Sequence, residues 1–339
     1  MANFQIPRQA RVVVAMKPET TAGTDIFGGT YVTGDVIPTI FDSMRFTQDP
    51  NEIENLMTAG NMGRAPSVLG PLTARLDFSM FLRGRGSAYG ASARPEADLP
   101  LRGARLAATV DASSGTESVT YQPTDTEEVM TIYVVVDVPG GNALSAQMVG
   151  CIGTGRFGGR AGEMIRMDFT FMGALESRAD ISYVGGTLTT TPQFPTLKSA
   201  AFQIGSTNYA PRIAEISFDL GNRIIPIPSI NSAQGVVGHT VIDRRPEFTI
   251  DPEADREANS GWWDALSDGD PMKDLSFQVG SVQYNRVKFR ASADASPGPA
   301  STVQVVAQSF GARNGIMALP TRLLATIDSA NNDFAITFD

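Results

Sequence analysis

The sequence predicts a mainly β protein made of two tandem copies of one β-domain, each with one short flanking helix. Three observations carry this prediction. Alternating or β-branched apolar runs dominate the chain, and helical periodicity is confined to two short segments. The 339 residues are rich in turn formers, with 33 Gly and 21 Pro. A six-residue motif and an order of elements recur on either side of a segment rich in Thr and Pro.

The elements follow in order. Arg75–Phe81 alternates apolar and polar residues, as a half-buried strand does. Thr131–Asp137 is a continuous β-branched run, which predicts a strand buried on both faces. Further strands are expected at Met164–Met172, Ile213–Leu220, Glu247–Asp251, Leu275–Val279, Arg286–Arg290, Thr302–Ala307 and Asp333–Phe338. The helix candidates are Leu101–Ala108 and Trp262–Ser267, the latter preceded by Asn259-Ser260 as a cap. Thr187–Pro195 has no periodicity and reads as an extended linker. It divides a first domain, 1–188, from a second, 197–339, with 189–196 between them. At about 100–200 residues per domain, each part is long enough for its own core.

The two parts share pattern and charge. Ser43-Met44-Arg45-Phe46 precedes Leu76-Asp77-Phe78-Ser79-Met80 across a long connection, and Glu215-Ile216-Ser217-Phe218 precedes Glu247-Phe248-Thr249-Ile250 across one of nearly equal length. Phe157-Gly158-Gly159-Arg160-Ala161-Gly162 matches Phe310-Gly311-Ala312-Arg313-Asn314-Gly315 at four of six positions. Phe157, Gly158, Arg160 and Gly162, with Phe310, Gly311, Arg313 and Gly315, therefore read as one repeated structural turn in which Gly supplies positive φ. Splitting the chain at residue 190 leaves net charges of −5 and −4.

Composition excludes much chemistry. The net charge of −9 argues against a protein that grips nucleic-acid phosphates. The one cysteine, Cys151, permits neither an internal disulfide nor a cysteine zinc cluster. His239 is the one histidine and has no Gly-x-Ser-x-Gly elbow to serve, so it reads as a strand-edge or loop residue. The carboxylates at Glu127-Glu128 and Asp251–Glu257 fit neither an EF-hand loop nor a defined acid–base pair, and read as solvated loop charge. Gly150–Arg160 lacks the Gly-Lys-Ser/Thr ending of a phosphate loop and reads as a turn. No catalytic residue, cofactor site or metal site is predicted. The N-terminal residues do not form a signal peptide, and the longest apolar run is far below the ~20 residues of a membrane span. The chain is therefore expected to be soluble, made in a reducing cytoplasm, and not inserted in a membrane.

Two features point to contact with other subunits. Arginine outnumbers lysine 23 to 4, with Arg64, Arg83, Arg85, Arg156 and Arg160 in predicted loops. Arginine is favoured in geometrically specific ion pairs and interfaces, lysine on plain solvated surface. The long connection at 47–70 contains Gln48–Gly63, and a loop of this length in a compact domain is functional or an assembly arm. Asp49, Glu52, Glu54, Met57, Met62 and Arg64 are its candidate subunit- and ring-contact residues.

Four segments resemble the two-domain tail tube proteins, or major tail proteins, of long-tailed non-contractile bacteriophages. They are Glu19-Thr20-Thr21-Ala22-Gly23-Thr24, similar to E-x-T-x-G-T; Ser217–Pro226 continued by Val241–Pro246, similar to S-x-x-L-G-N and I-T-D-R-x-P; Asp168–Gly173, similar to F-x-F-x-G; and Leu319–Leu324 with Asn332–Phe338. The chain departs from the opening motif by inserting Ile26–Gly34. The resemblance implies that each domain is a tail-tube-type β-sandwich or partly closed barrel. It implies trimeric, pseudo-hexameric rings stacked into a hollow tube, with neighbouring sheets joined around a channel. The implied partners are further copies of the chain, the tape-measure protein, and the tail terminator and distal tail proteins. Phage DNA would pass through a lumen lined mainly by Asp and Glu without sequence-specific binding. The other reading is a carbohydrate-binding or adhesive β-sandwich, for which the adjacent Trp262 and Trp263 are the aromatic candidates.

Overall fold

A computed structural model of the chain describes residues 12–40, 42–54, 66–138, 142–187, 190–198, 200–204, 210–256, 261–268, 272–273, 275–291, 301–326 and 333–339. The strands of the first half are β1 (Val12–Pro18), β2 (Val36–Ile37), β3 (Arg45–Ile53), β4 (Val68–Phe81), β5 (Leu106–Asp111), β6 (Ser118–Pro123), β7 (Met130–Val136), β8 (Ala143–Arg160) and β9 (Arg166–Ile181). Those of the second are β10 (Gln203–Ile204), β11 (Glu215–Asp219), β12 (Asn222–Pro228), β13 (Val236–Arg244), β14 (Glu247–Ile250), β15 (Met272–Lys273), β16 (Leu275–Val279), β17 (Val287–Ala291), β18 (Ser301–Gln308), β19 (Gly311–Arg313), β20 (Ile316–Ala318), β21 (Thr321–Ala325) and β22 (Ala335–Phe338). Helix α1 (Asp98–Gly103) precedes β5 and helix α2 (Trp262–Asp268) precedes β15, one in each half.

A twelve-stranded sheet dominates, and β8 is its spine. One edge of β8 pairs with β9 from Ala143 to Gly158. Its other edge is shared. Leu144–Cys151 pairs with β7, and Arg156–Arg160 pairs with β11 of the second half. From β9 the sheet continues to β4 and β3; from β11 it continues to β14, β21, β18 and β15. A six-stranded sheet, β10-β16-β17-β22-β6-β5, also crosses the halves, because the C-terminal strand β22 lies between β17 and β6.

The expectation of a separate core in each half is therefore corrected. One buried cluster runs from Val14 through Phe78, Phe171, Phe218 and Phe289 to Phe338. Alternation along each strand places one face of the large sheet on this core. A second, smaller cluster covers the other side of β1 and β7. Phe27 lies 4.7 Å from the Tyr133 ring, and Tyr31 is buried beside them. The inserted Ile26–Gly34 segment thus packs on β7, which is why β7 is buried on both faces.

Three local expectations are corrected. The stretch Gly150–Arg160 is strand rather than turn, and Phe157, Gly158 and Arg160 are strand residues, as is Gly311. The chain reverses one step later, at Gly162 (φ 90°) and at Asn314-Gly315 (φ 50° and 82°). The glycines of β8 answer to crowding. A Cβ on Gly153 would lie 2.6 Å from the Phe171 ring, and one on Gly155 would lie 2.6 Å from the Met167 side chain. The first helix ends at Gly103 because Arg105 adopts φ 66°, and Leu106 then starts a strand of alternating burial. The connection between β3 and β4 is 54–67 rather than 47–70, since pairing extends out to Ile53↔Val68. Pro50 is accommodated at a register shift of this edge strand, where its missing N–H costs no ladder bond. Asn259-Ser260 lies outside the described residues.

Filling the crowded space over β8 tests this packing. Gly153→Val is expected to lower the unfolding free energy by about 2 kcal/mol or more in denaturant titration. Gly34→Ala, which meets nothing within 4 Å, is the control and should change it by less than about 0.5 kcal/mol.

Candidate functional site

The feature with consequences beyond one chain is the joint between the halves. At β8·β11, Phe157 stands opposite Phe218 and Arg160 opposite Glu215. Phe157 inserts into the aromatic core of the second half, 5.2 Å from Phe218 and from Phe289 and 6.0 Å from Phe277. The ladder continues one step, with the Leu220 N–H donating to the Gly155 carbonyl at 2.9 Å.

The motif residues lock this joint. The Glu19 carboxylate accepts the N–H of Gly150 at 2.7 Å, that of Gly23 at 2.6 Å and the Thr131 hydroxyl at 3.1 Å. Burial raises its pKa above the usual carboxylate range. Gly150 is so close to Gly238 that a Cβ on it would lie 2.5 Å from the Gly238 Cα, and Gly150 also has φ 60°. Asn222 Nδ2 donates to the carbonyls of Ala104 at 2.8 Å and Gly153 at 3.0 Å. Arg244 forms a two-pronged ion pair with the buried Asp333, joining the second motif to the fourth. The segment proposed as a linker is held as well. Arg83, itself buried, pairs with Glu96 at 2.6 Å, donates to the Pro192 carbonyl and lies 4.5 Å from the Phe194 ring centre.

The opposite face of the large sheet is open to solvent and carries charge in pairs. These are Arg75–Asp77, Arg166–Asp168, Arg160–Glu215 and Arg322–Glu247, at 2.6–3.2 Å. Exposed pairs of this kind contribute about 0–1 kcal/mol each, so they set the character of the face more than the stability of the fold.

The two halves repeat one strand order. β3-β4-β9-β8 corresponds to β11-β14-β21-β18, all antiparallel. Following the cross-strand partners gives Phe46↔Leu76↔Phe171↔Gly153 in the first half and Phe218↔Phe248↔Leu323↔Val305 in the second. Thr154↔Thr170 then corresponds to Ala307↔Arg322, and Phe157 to Phe310. The ladder register thus reaches the equivalence already visible in the repeated motif. The environments differ. Phe157 is 3% exposed and Phe310 68% exposed. Arg160 pairs with Glu215 across the joint, whereas Arg313 pairs with Asp251 and Glu253.

The other predicted site residues fall in different places. Asp49 and Glu52 lie on β3, opposite Thr73 and Leu69, and Glu54 follows the strand. Met57, Met62 and Arg64 lie outside the described residues. Trp262 and Trp263 open α2. Residues of the joint that sequence reasoning did not single out include Gly155 and Leu220. The repeated Phe-Gly motif could have led to them, but the strand lying beside it belongs to the other half of the chain. Among the described residues no group of three or more His, Cys, Asp or Glu is placed to hold a metal ion, and no helix is long and apolar enough to cross a membrane.

His239 is buried on β13, and burial pushes its pKa down to about 4. Below the unfolded value near 6.5, the unfolded chain takes up a proton that the folded chain refuses. This residue's contribution is therefore full above pH 6.5 and is lost as the pH falls toward 4, by at most about 1.4 kcal/mol per pH unit. His239→Gln should flatten that part of the stability–pH curve. Phe157→Ala should cost about 3–5 kcal/mol in denaturant titration, and Phe310→Ala in the isolated chain less than about 0.5 kcal/mol.

No curated protein matches the chain. The profile of the phage tail tube protein family matches residues 9–313, spanning both halves and the joint between them. The chain belongs to the phage tail tube protein family, and is a structural protein of the virion tail.

Proposed function

We propose that three copies of the chain close into a ring of pseudo-sixfold symmetry, and that rings stack into the hollow tail tube of a long-tailed, non-contractile phage. The two pseudo-equivalent units of each copy are 1–188 and 197–339, joined by 189–196. The observation that carries this reading is the β8·β11 joint. A ring needs each unit to continue its sheet into the next, and every chain already contains that junction once. Closing the ring repeats it between chains, so the six units of a trimer need two kinds of junction of one geometry. Subunits are assembled in the host cytoplasm. The tube encloses the tape-measure protein, meets terminator and distal tail proteins at its ends, and conducts DNA during ejection.

The solvent face of the large sheet is the surface we assign to the lumen. Its arginines at 75, 160, 166 and 322 stand beside acids, so that face is charge-paired rather than lined mainly by Asp and Glu. Arginines neutralised in this way offer phosphates little net attraction, which suits passage without sequence-specific binding. The β3–β4 connection is the ring contact in this reading, with Asp49, Glu52, Glu54, Met57, Met62 and Arg64 as its contact residues. Ile53, Val68 and Leu69 at its base are exposed apolar side chains.

Negative-stain electron microscopy of the purified chain at rising concentration tests the proposal. Rings or hollow tubes with threefold or pseudo-sixfold averages are expected; persistent monomers would refute it. Replacing residues 55–65 with a short Gly-Ser turn should leave the melting temperature unchanged and abolish stacked tubes.

A further inference from the structure

The junction within the chain specifies the junction between chains. We infer that strand β3 of one copy adds to the outer edge of the β18–β19 segment of the next, with Phe46 opposite Phe310, Thr47 opposite Ser309 and Gln48 opposite Gln308. The inference rests on the ring reading above and adds to it the strands, the register and the side chains that meet.

The first line of argument is the transferred register. β3 is the counterpart of β11, and among the described residues it pairs with β4 alone, so it is an edge strand. The β18–β19 segment is the counterpart of the end of β8. Ser309 donates its N–H to the Pro320 carbonyl on one side, and β19 pairs only with β20 on that same side. Within the chain, Phe218↔Phe157 and Asp219↔Arg156 are partners, and Leu220 bonds Gly155. Replacing each residue by its counterpart gives the three pairs named. Unpaired edges of this kind are templates for strand addition.

The second line is what these positions present. Phe310, 68% exposed, is the counterpart of a phenylalanine that is 3% exposed inside the completed joint. An incoming β3 would cover it as β11 covers Phe157. Gln48 and Gln308 give an independent sign. The Nε2 of Gln48 is a buried donor with no partner, and the Oε1 of Gln308 is a buried acceptor with no partner. Such orphans are costly in a finished structure. By strand alternation Gln48 shares a face with Phe46, and Gln308 shares the corresponding face with Phe310. The register therefore sets an orphaned amide donor directly opposite an orphaned amide acceptor, on the same side of the new ladder.

Cysteine pairs test the register. Thr47 and Ser309 are exposed in the single chain, and the native Cys151 is buried, so it does not compete. Assemblies of Thr47→Cys/Ser309→Cys, oxidised with copper phenanthroline, should run on a non-reducing gel as covalent dimers and closed trimers. Thr47→Cys/Ala312→Cys places the second sulfur about 10 Å along the strand and on the opposite face, and should remain a single chain. Assembly without cross-linking of the first pair, or equal cross-linking of the second, overturns the ladder and leaves the tube reading intact. Failure of the wild-type chain to assemble overturns the tube reading and the ladder with it. As a check independent of engineered disulfides, Phe310→Asp should keep the monomer's melting temperature and circular dichroism while reducing the assembled fraction by more than about tenfold. Undiminished assembly of that folded variant would also overturn the inference.

Discussion

The structure depends on one strand carrying two neighbours on a single edge. β8 is 18 residues long, and along one side it offers Leu144–Cys151 to β7 and Arg156–Arg160 to β11. Had β8 ended near Cys151, the second half would have no ladder to join. Its length therefore turns two sets of strands into one sheet. Its glycines let the aromatic side chains of β9 lie close over it, as Phe171 does over Gly153. The cost of Gly in a strand, lost entropy and lost side-chain packing, is offset by rings that fill the vacated space.

A joint made by backbone pairing alone would be free to slip, since a one-residue shift turns every side chain to the other face. Here several contacts pin the register. Phe157 is lodged among Phe218, Phe277 and Phe289, the Asn222 amide spans the carbonyls of Ala104 and Gly153, and Glu19 holds the N–H of Gly150. β22 adds a second sheet across the same boundary. The Arg244–Asp333 pair is nearly buried, and such pairs set geometry more than they add stability. The halves share so much buried surface that neither has a complete core without the other.

Sequence duplication and structural duplication part company at the ends. The second half completes the edge of the first, whereas the corresponding edge of the second half ends at Phe310 and the β19–β20 hairpin. A single chain thus presents a donor edge at β3 and an acceptor edge at β18–β19. This is the arrangement of a heterologous contact, which closes into a ring or runs on as a filament according to the rotation per unit. The balanced arginine–carboxylate face continues across every strand from β4 to β21, and so belongs to the shared sheet rather than to either half.

Local pattern was enough to locate most strands. The alternation of Arg75–Phe81, the β-branched run at Thr131–Asp137 and the exact span Leu275–Val279 lie where the periodicity puts them, because a strand's inward and outward faces are written in its own residues. The repeat was legible for the same reason: Phe157 and Phe310 occupy equivalent ladder positions. What the sequence could not supply was the neighbour of each segment. Gly150–Arg160 read as a turn because glycine is a poor strand former in isolation, and the Phe171 and Met167 side chains that fill its space come from another strand. The connection 47–70 read as loop because Pro50 disfavours a central strand, whereas β3 is an edge, where proline is tolerated. The division into separate domains failed for a like reason, since the partner of Arg156–Arg160 lies more than fifty residues away in the chain. Composition and periodicity determined that this protein is built of repeated β-strands. Tertiary pairing alone decided which strand lies beside which, and therefore which edges the chain fills for itself and which it leaves for another copy.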